Sequence, residues 1–178
     1  MVTKKYIKYG IIKNAYEIII KELGSISEDG TQLYRYHNAK NEEEILNNGW
    51  LPYENIDDEK QEKIQQVIEY DKSIDVNSFF IGEIQTWIDR DTRVSLMNST
   101  TILKNFGQET TTLWLNGQSF TIPCDGLIQM LGALEIYALQ CYNVTEQHKA
   151  NINALESIEE VKNYNFRTGY PEKLVFNV

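Results

Sequence analysis

The residues with the most obvious chemical capacity are Asp89-Arg90-Asp91, followed by Arg93. Two close carboxylates invite a hydrolase reading, with one activating water and the other protonating a leaving group. Their spacing works against it. On a helix, neighbours at i,i+2 diverge by about 200° and cannot face one substrate. A small hydrolase, the remote alternative, would need a pocket lined by Asp91 and Glu135 and a strongly shifted carboxylate. The plainer reading is a charged helix surface with Asp89 paired to Arg93 at i,i+4 and Arg90 sharing a face with Arg93. Glu42, Glu43 and Glu44 read as the acidic first turn of a helix rather than as acid catalysts. Cys124 and Cys141 have no short metal-binding spacing. Cys141 and His148 share a helix face but lie about 10 Å apart along the axis, too far to hold one ion. No Gly-rich phosphate loop is present. These residues therefore supply no catalytic, cofactor-binding or metal-ligating assignment, and the chain is not expected to be an enzyme.

Contact chemistry is better supplied. Asn116-Gly117, set between Leu113-Trp114-Leu115 and Ser119-Phe120-Thr121-Ile122, predicts a two-residue type I′ hairpin turn. With Leu115 opposite Gln118, one face carries Leu113, Leu115, Phe120 and Ile122. Trp114 then lies on the other face with Thr112, Ser119 and Thr121. From Val94 to Leu134 the only charged residues are Lys104, Glu109 and Asp125. Loss of charge with aromatic residues retained marks the centre of a protein contact, although a domain core produces the same pattern. The candidate interface comprises Leu113, Trp114, Leu115, Asn116, Gly117 and Phe120, with Trp87 and Arg93.

The elements that position these residues follow from pattern. Residues 1–56 read as a small strand-rich module with one short helix. Tyr6–Tyr9, Tyr16–Ile20 and Leu33–Tyr36 are rich in aromatic and β-branched residues. A turn is expected at Gly10 or Lys13-Asn14, and another at Glu28-Asp29-Gly30. The alternative is an amphipathic helix from Ile11 to Leu23. Asn41, with Glu44 three residues on, caps a short helix that Gly49 ends. Residues 57–76 form a charged helical connector in which Ile64, Val67 and Ile68 mark one apolar side.

Residues 77–178 form a helix–hairpin–helix domain. From Asn77, Phe80, Ile84, Trp87, Ile88, Asp91, Val94 and Ile102 recur at helical steps, and Gly107 stops the helix. After the hairpin a second helix starts near Pro123, capped by Thr121 or Asp125, with a stripe of Leu127, Leu131, Leu134, Ala138 and Cys141. Ser157 and Glu160 open a short last helix as a capping box, and Leu174–Phe176 reads as a final strand. The expected class is α+β: two long amphipathic helices with an inserted β-hairpin and a short C-terminal helix, behind the strand-rich module.

Composition narrows the partners. The formal charge is −9, with 26 acidic and 17 basic residues, and the isoelectric point is near 4.8. Nucleic-acid affinity rests on Lys and Arg neutralising phosphates, so no nucleic-acid partner is expected. No apolar run approaches a membrane span and no signal-peptide core is seen at the N-terminus, which predicts folding in a cytosol without a membrane partner. The Asn98-Ser99-Thr100 and Asn143-Val144-Thr145 triplets are then chance matches to a glycosylation acceptor.

One further feature is an order of motifs. Trp87-Ile88-Asp89 and Asp91-Thr92-Arg93 precede the Leu113–Gly117 hairpin. The Thr121 helix start, Leu127/Leu131, His148-Lys149-Ala150-Asn151-Ile152 and Ser157-Ile158-Glu159-Glu160-Val161 follow it. This run, from about Phe80 to Phe166 and about half the chain, resembles a bacterial and phage domain family of unknown function found in tail and tail-fibre assembly proteins. The N-terminal residues match no module known beside that domain. The resemblance implies a structural protein of a phage or prophage tail, located in the virion after assembly in the host cytoplasm. Its implied partners are other tail or tail-fibre proteins, met as an adaptor or tail component in several symmetric copies. A tail-fibre assembly chaperone, absent from the finished particle, is the alternative. The family has no established catalytic residues, so the resemblance implies none.

Overall fold

The computed structural model describes residues 4–177. It is an α+β protein whose chain divides into two compact units between Asp58 and Glu59.

In the first unit, β1 (Lys5–Lys8) and β2 (Ile11–Asn14) form a hairpin around the Tyr9-Gly10 turn, and β5 (Leu51–Tyr53) adds antiparallel to the other edge of β1. β3 (Ile19–Ile26) and β4 (Gln32–Asn38) make a second hairpin with an irregularity between Leu23 and Ile26. Its turn is held by Asp29, whose carboxylate accepts the Thr31 N–H at 3.0 Å. α1 (Glu42–Asn47) starts where expected, with the Asn41 side chain accepting the Glu44 N–H. Tyr6, Ile18, Ile20 and Ile45 form a small core backed by Ala15, Ala39 and Trp50.

Two expectations change here. Tyr16 and Glu17 are not strand: Ala15–Glu17 is a single 3-10 turn opened by an Asn14/Glu17 capping box. Asn14 and Glu17 satisfy each other's backbone, and this displaces the start of β3 to Ile19. The same turn and the β2 pairing exclude a helix from Ile11 to Leu23.

The second unit contains most of α2 (Ile56–Asp71), with Val67 completely buried. The one-sided apolar pattern seen in the sequence therefore faces a core. Lys60 and Lys63 donate from this helix to the carbonyls of Asn153 and Lys162. β6 (Phe79–Ile81), β7 (Ile84–Thr86) and β10 (Val175–Phe176) form a three-stranded sheet, with β10 parallel to β6 and β7 antiparallel. α3 (Arg90–Asn105) leads to β8 (Thr110–Leu115) and β9 (Gln118–Pro123), then α4 (Cys124–Ala154) and α5 (Ile158–Asn163).

The first long helix is thus shorter than its pattern suggested. Phe80, Ile84 and Trp87 match helical spacing, yet Phe79 to Thr86 is a hairpin. Gly82, at φ 58, makes the turn, and β10, arriving from the far end of the chain, takes up the backbone groups of β6. A three-residue strand has no local means of winning this competition; the distant partner decides it. At the second long helix, Pro123 occupies the N-cap position without a side-chain cap. Neither Thr121 nor Asp125 caps it, and Asp125 pairs instead with Lys104.

At 31 residues, α4 is about 45 Å long. Leu127, Leu131 and Leu134 are completely buried and join Phe79, Ile81, Ile88, Leu113, Leu115, Ile122 and Met130 in the main core. Further along, the stripe turns polar. Tyr137 donates to the Val76 carbonyl at 2.7 Å. The Thr145 hydroxyl lies 2.9 Å from both the Asp71 carboxylate and the Tyr170 hydroxyl. His148 is held between the Tyr164 hydroxyl and the Thr168 carbonyl. Burial pushes the Cys141 thiol up to about 11, so this cysteine packs as a neutral small residue, in keeping with its assignment to the stripe.

Candidate interaction surface

The charged cluster at the start of α3 is a structural joint. Asp89 is the N-cap: its carboxylate accepts the Thr92 N–H at 2.9 Å and the Thr92 hydroxyl at 2.6 Å. Those bonds, the hydroxyl first, hold its carboxyl below the usual range. Asp89 is thus committed to Thr92 and not to Arg93. Arg93 is only 4% exposed. Its Nε donates to Glu135 at 2.8 Å, Nη1 donates to the Ile88 carbonyl, and the guanidinium lies 5.0 Å from the Trp87 ring centre. Arg90 and Asp91 are exposed and do not share this environment. Asp89 thus caps a helix and Glu135 neutralises a buried arginine.

The hairpin has the register expected from its turn: Leu115 pairs with Gln118, Leu113 with Phe120 and Thr111 with Ile122. Asn116 and Gly117 have φ of 49° and 80°, as a type I′ turn requires. Leu113, Leu115 and Ile122 are buried in the core of their own unit, with Phe120 partly buried against it. Trp114 points the other way and is 67% exposed. Of the candidate interface residues, Trp114, Asn116 and Gly117 are on the surface. Leu113, Leu115 and Arg93 are spent inside the chain, and Trp87 and Phe120 are half-buried.

The charge-poor stretch is only partly core. On α3, Val94, Ser95, Asn98, Ser99, Thr101, Ile102, Leu103 and Asn105 are all exposed, and Phe106, just past its end, is 82% exposed. Lys104 is the one basic residue among them and is already paired with Asp125. Sequence reasoning did not single out Phe106 as a surface residue. It also passed over Ile136 and Leu139, which with Tyr142, a residue flanking the stripe, are exposed side chains at steps of three along α4. Their signal was present: α4 carries apolar residues off its Leu stripe, which a helix buried on one side does not require.

A different grouping in the first unit left no trace in the sequence. Glu22 on β3, His37 on β4 and Glu44 on α1 bring one ligand-capable atom each to within 4.8 Å of one another. Only the pairing of β3 with β4 makes Glu22 and His37 neighbours.

Comparison with family models, curated proteins and solved structures found no match in any of the three.

Proposed function

We propose that this chain is a structural protein of a phage or prophage tail, working through protein–protein contact as an adaptor or tail component in several symmetric copies. The observation that carries the contact reading is the solvent-facing surface of α3 and β8. From Val94 to Trp114 its exposed residues include Val94, Ile102, Leu103, Phe106 and Trp114 and only two charges, Lys104, which is paired with Asp125, and Glu109. A free surface of a chain with net charge −9 would ordinarily be rich in Asp, Glu and Lys, whereas interface centres lose charge and keep aromatic residues. Exposed aromatic residues of this kind are the side chains that dominate binding energies. The tail placement rests on the ordered motifs from Trp87 to Val161 and their resemblance to tail-associated domains.

Quantitative mass spectrometry of purified particles tests the placement. A stoichiometric copy number is expected. Absence from finished particles whose tails require the protein for assembly would overturn it in favour of the chaperone. The contact surface is tested by Trp114→Ala combined with Phe106→Ala. Incorporation should fall at least tenfold, as expected if about 1.4 kcal/mol or more of contact energy is lost, with the melting temperature unchanged. Undiminished incorporation would sink the surface.

A further inference from the structure

We propose that Glu22, His37 and Glu44 form a binding site for a divalent transition cation of the zinc type. His37 Nδ1 and the Glu22 carboxylate would be ligands, and Glu44 would orient the imidazole from behind. The site is independent of the contact surface described above.

The geometry begins with Glu44. One of its carboxylate oxygens accepts the Lys40 N–H at 2.7 Å, and its own N–H donates to Asn41 at 2.8 Å, so the side chain leaves an anchored backbone. Its other oxygen lies 2.7 Å from His37 Nε2. An ionised carboxylate only accepts, so this bond places a proton on Nε2, and in the neutral ring with that proton Nδ1 carries the lone pair. His37 and Glu22 share one face of the β3–β4 hairpin, because Ile20 opposes His37 and Glu22 opposes Arg35 in the register. Nδ1 and a Glu22 oxygen are 3.8 Å apart.

That separation is too long for a hydrogen bond. In this tautomer neither atom has a proton to offer the other. It does suit an ion between them. With bonds of about 2.0–2.1 Å to each atom, their separation is about 3.3 Å at a tetrahedral angle and about 4.1 Å when linear. The observed value falls between, and the half-exposed Glu22 side chain is free to close the remaining few tenths of an ångström. A histidine that ligates through one nitrogen while donating its other N–H to a carboxylate is the recurrent outer-shell pattern of metal sites. A nitrogen ligand beside carboxylate oxygen selects zinc-like ions over calcium, which takes oxygen ligands.

The chain has only two histidines, which makes the test clean. His148 has both ring nitrogens engaged, with the Tyr164 hydroxyl and the Thr168 carbonyl. Isothermal titration of the full chain with Zn²⁺ should show one saturable site. In long-range ¹H–¹⁵N spectra of the imidazoles, Nδ1 of His37 should move on titration while His148 stays fixed. Glu22→Gln and His37→Gln should each weaken binding at least tenfold, and Glu44→Gln about tenfold, as for loss of an outer-shell carboxylate. Glu22→Gln alters an exposed side chain and so separates loss of binding from loss of fold, which circular dichroism checks. Absence of zinc uptake, or uptake unchanged in Glu22→Gln, would overturn the site. So would a doubly protonated His37 that zinc leaves unchanged, which would make the group an ion-pair clamp.

Discussion

Arg93 shows how one side chain can be assigned the wrong neighbours from sequence and still be pivotal. Its nearest acid in sequence at helical spacing is Asp89, but the cap geometry uses both Asp89 oxygens on Thr92. The buried guanidinium finds Glu135 on α4 and the ring of Trp87 instead. Truncation by Arg93→Ala should therefore act through packing and backbone satisfaction more than through charge. It leaves the Ile88 carbonyl without its donor, worth about 1–3 kcal/mol, and removes a largely desolvated cation–π contact worth about 1–2 kcal/mol. Glu135, whose side chain is 42% exposed, stays hydrated and adds little. The expected loss is about 2–4 kcal/mol in urea unfolding. A loss below about 0.5 kcal/mol, the ordinary value for a surface site, would mean that Arg93 is not the joint between α3 and α4.

At the scale of elements, the β8–β9 hairpin is the clearest case of a local signal deciding local structure. Asn116 and Gly117 both take positive φ, and that single fact sets the register of six residue pairs. A Cβ placed on Gly117 would meet nothing within 4 Å. The cost of Gly117→Val is therefore conformational and cannot be relieved by making room. A β-branched residue at φ 80° is strained by about 1–2 kcal/mol, and the melting temperature should fall accordingly. A variant as stable as the parent would show that the turn relaxes to another type. The β6–β7 hairpin is the opposite case: three-residue strands whose pairing depends on a segment about ninety residues away.

At the scale of the molecule, the two units have different means of support. Residues 59–178 hold the main core, including three completely buried leucines of α4, and full burial of each such side chain contributes about 1.5–3 kcal/mol. Among the described residues, the first unit has a core of four buried side chains, small for its length. A fragment spanning residues 55–178, which keeps α2 whole, should fold cooperatively by itself. The expected signs are a helical circular dichroism spectrum and a single thermal transition. A fragment lacking a cooperative transition would mean that its core is insufficient alone.

Much was legible before the structure, and for identifiable reasons. Turn chemistry at Asn116-Gly117, capping at Asn41 and Ser157, and the Leu127/Leu131/Leu134 stripe each act within a few residues. Backbone sterics and 3.6-residue periodicity therefore determine them in the sequence itself. What tertiary structure alone decided are the matters of distant partnership: the β10–β6 pairing that turns part of a helical pattern into sheet, the Arg93–Glu135 bond across 42 residues, and the meeting of Glu22 with His37. Periodicity reports which side of an element is apolar, not what lies against it. For the same reason the charge-poor stretch from Val94 onward did not reveal which of its residues were core and which were surface. The fold decided that by burying Leu113 and Leu115 and leaving Phe106 and Trp114 in solvent.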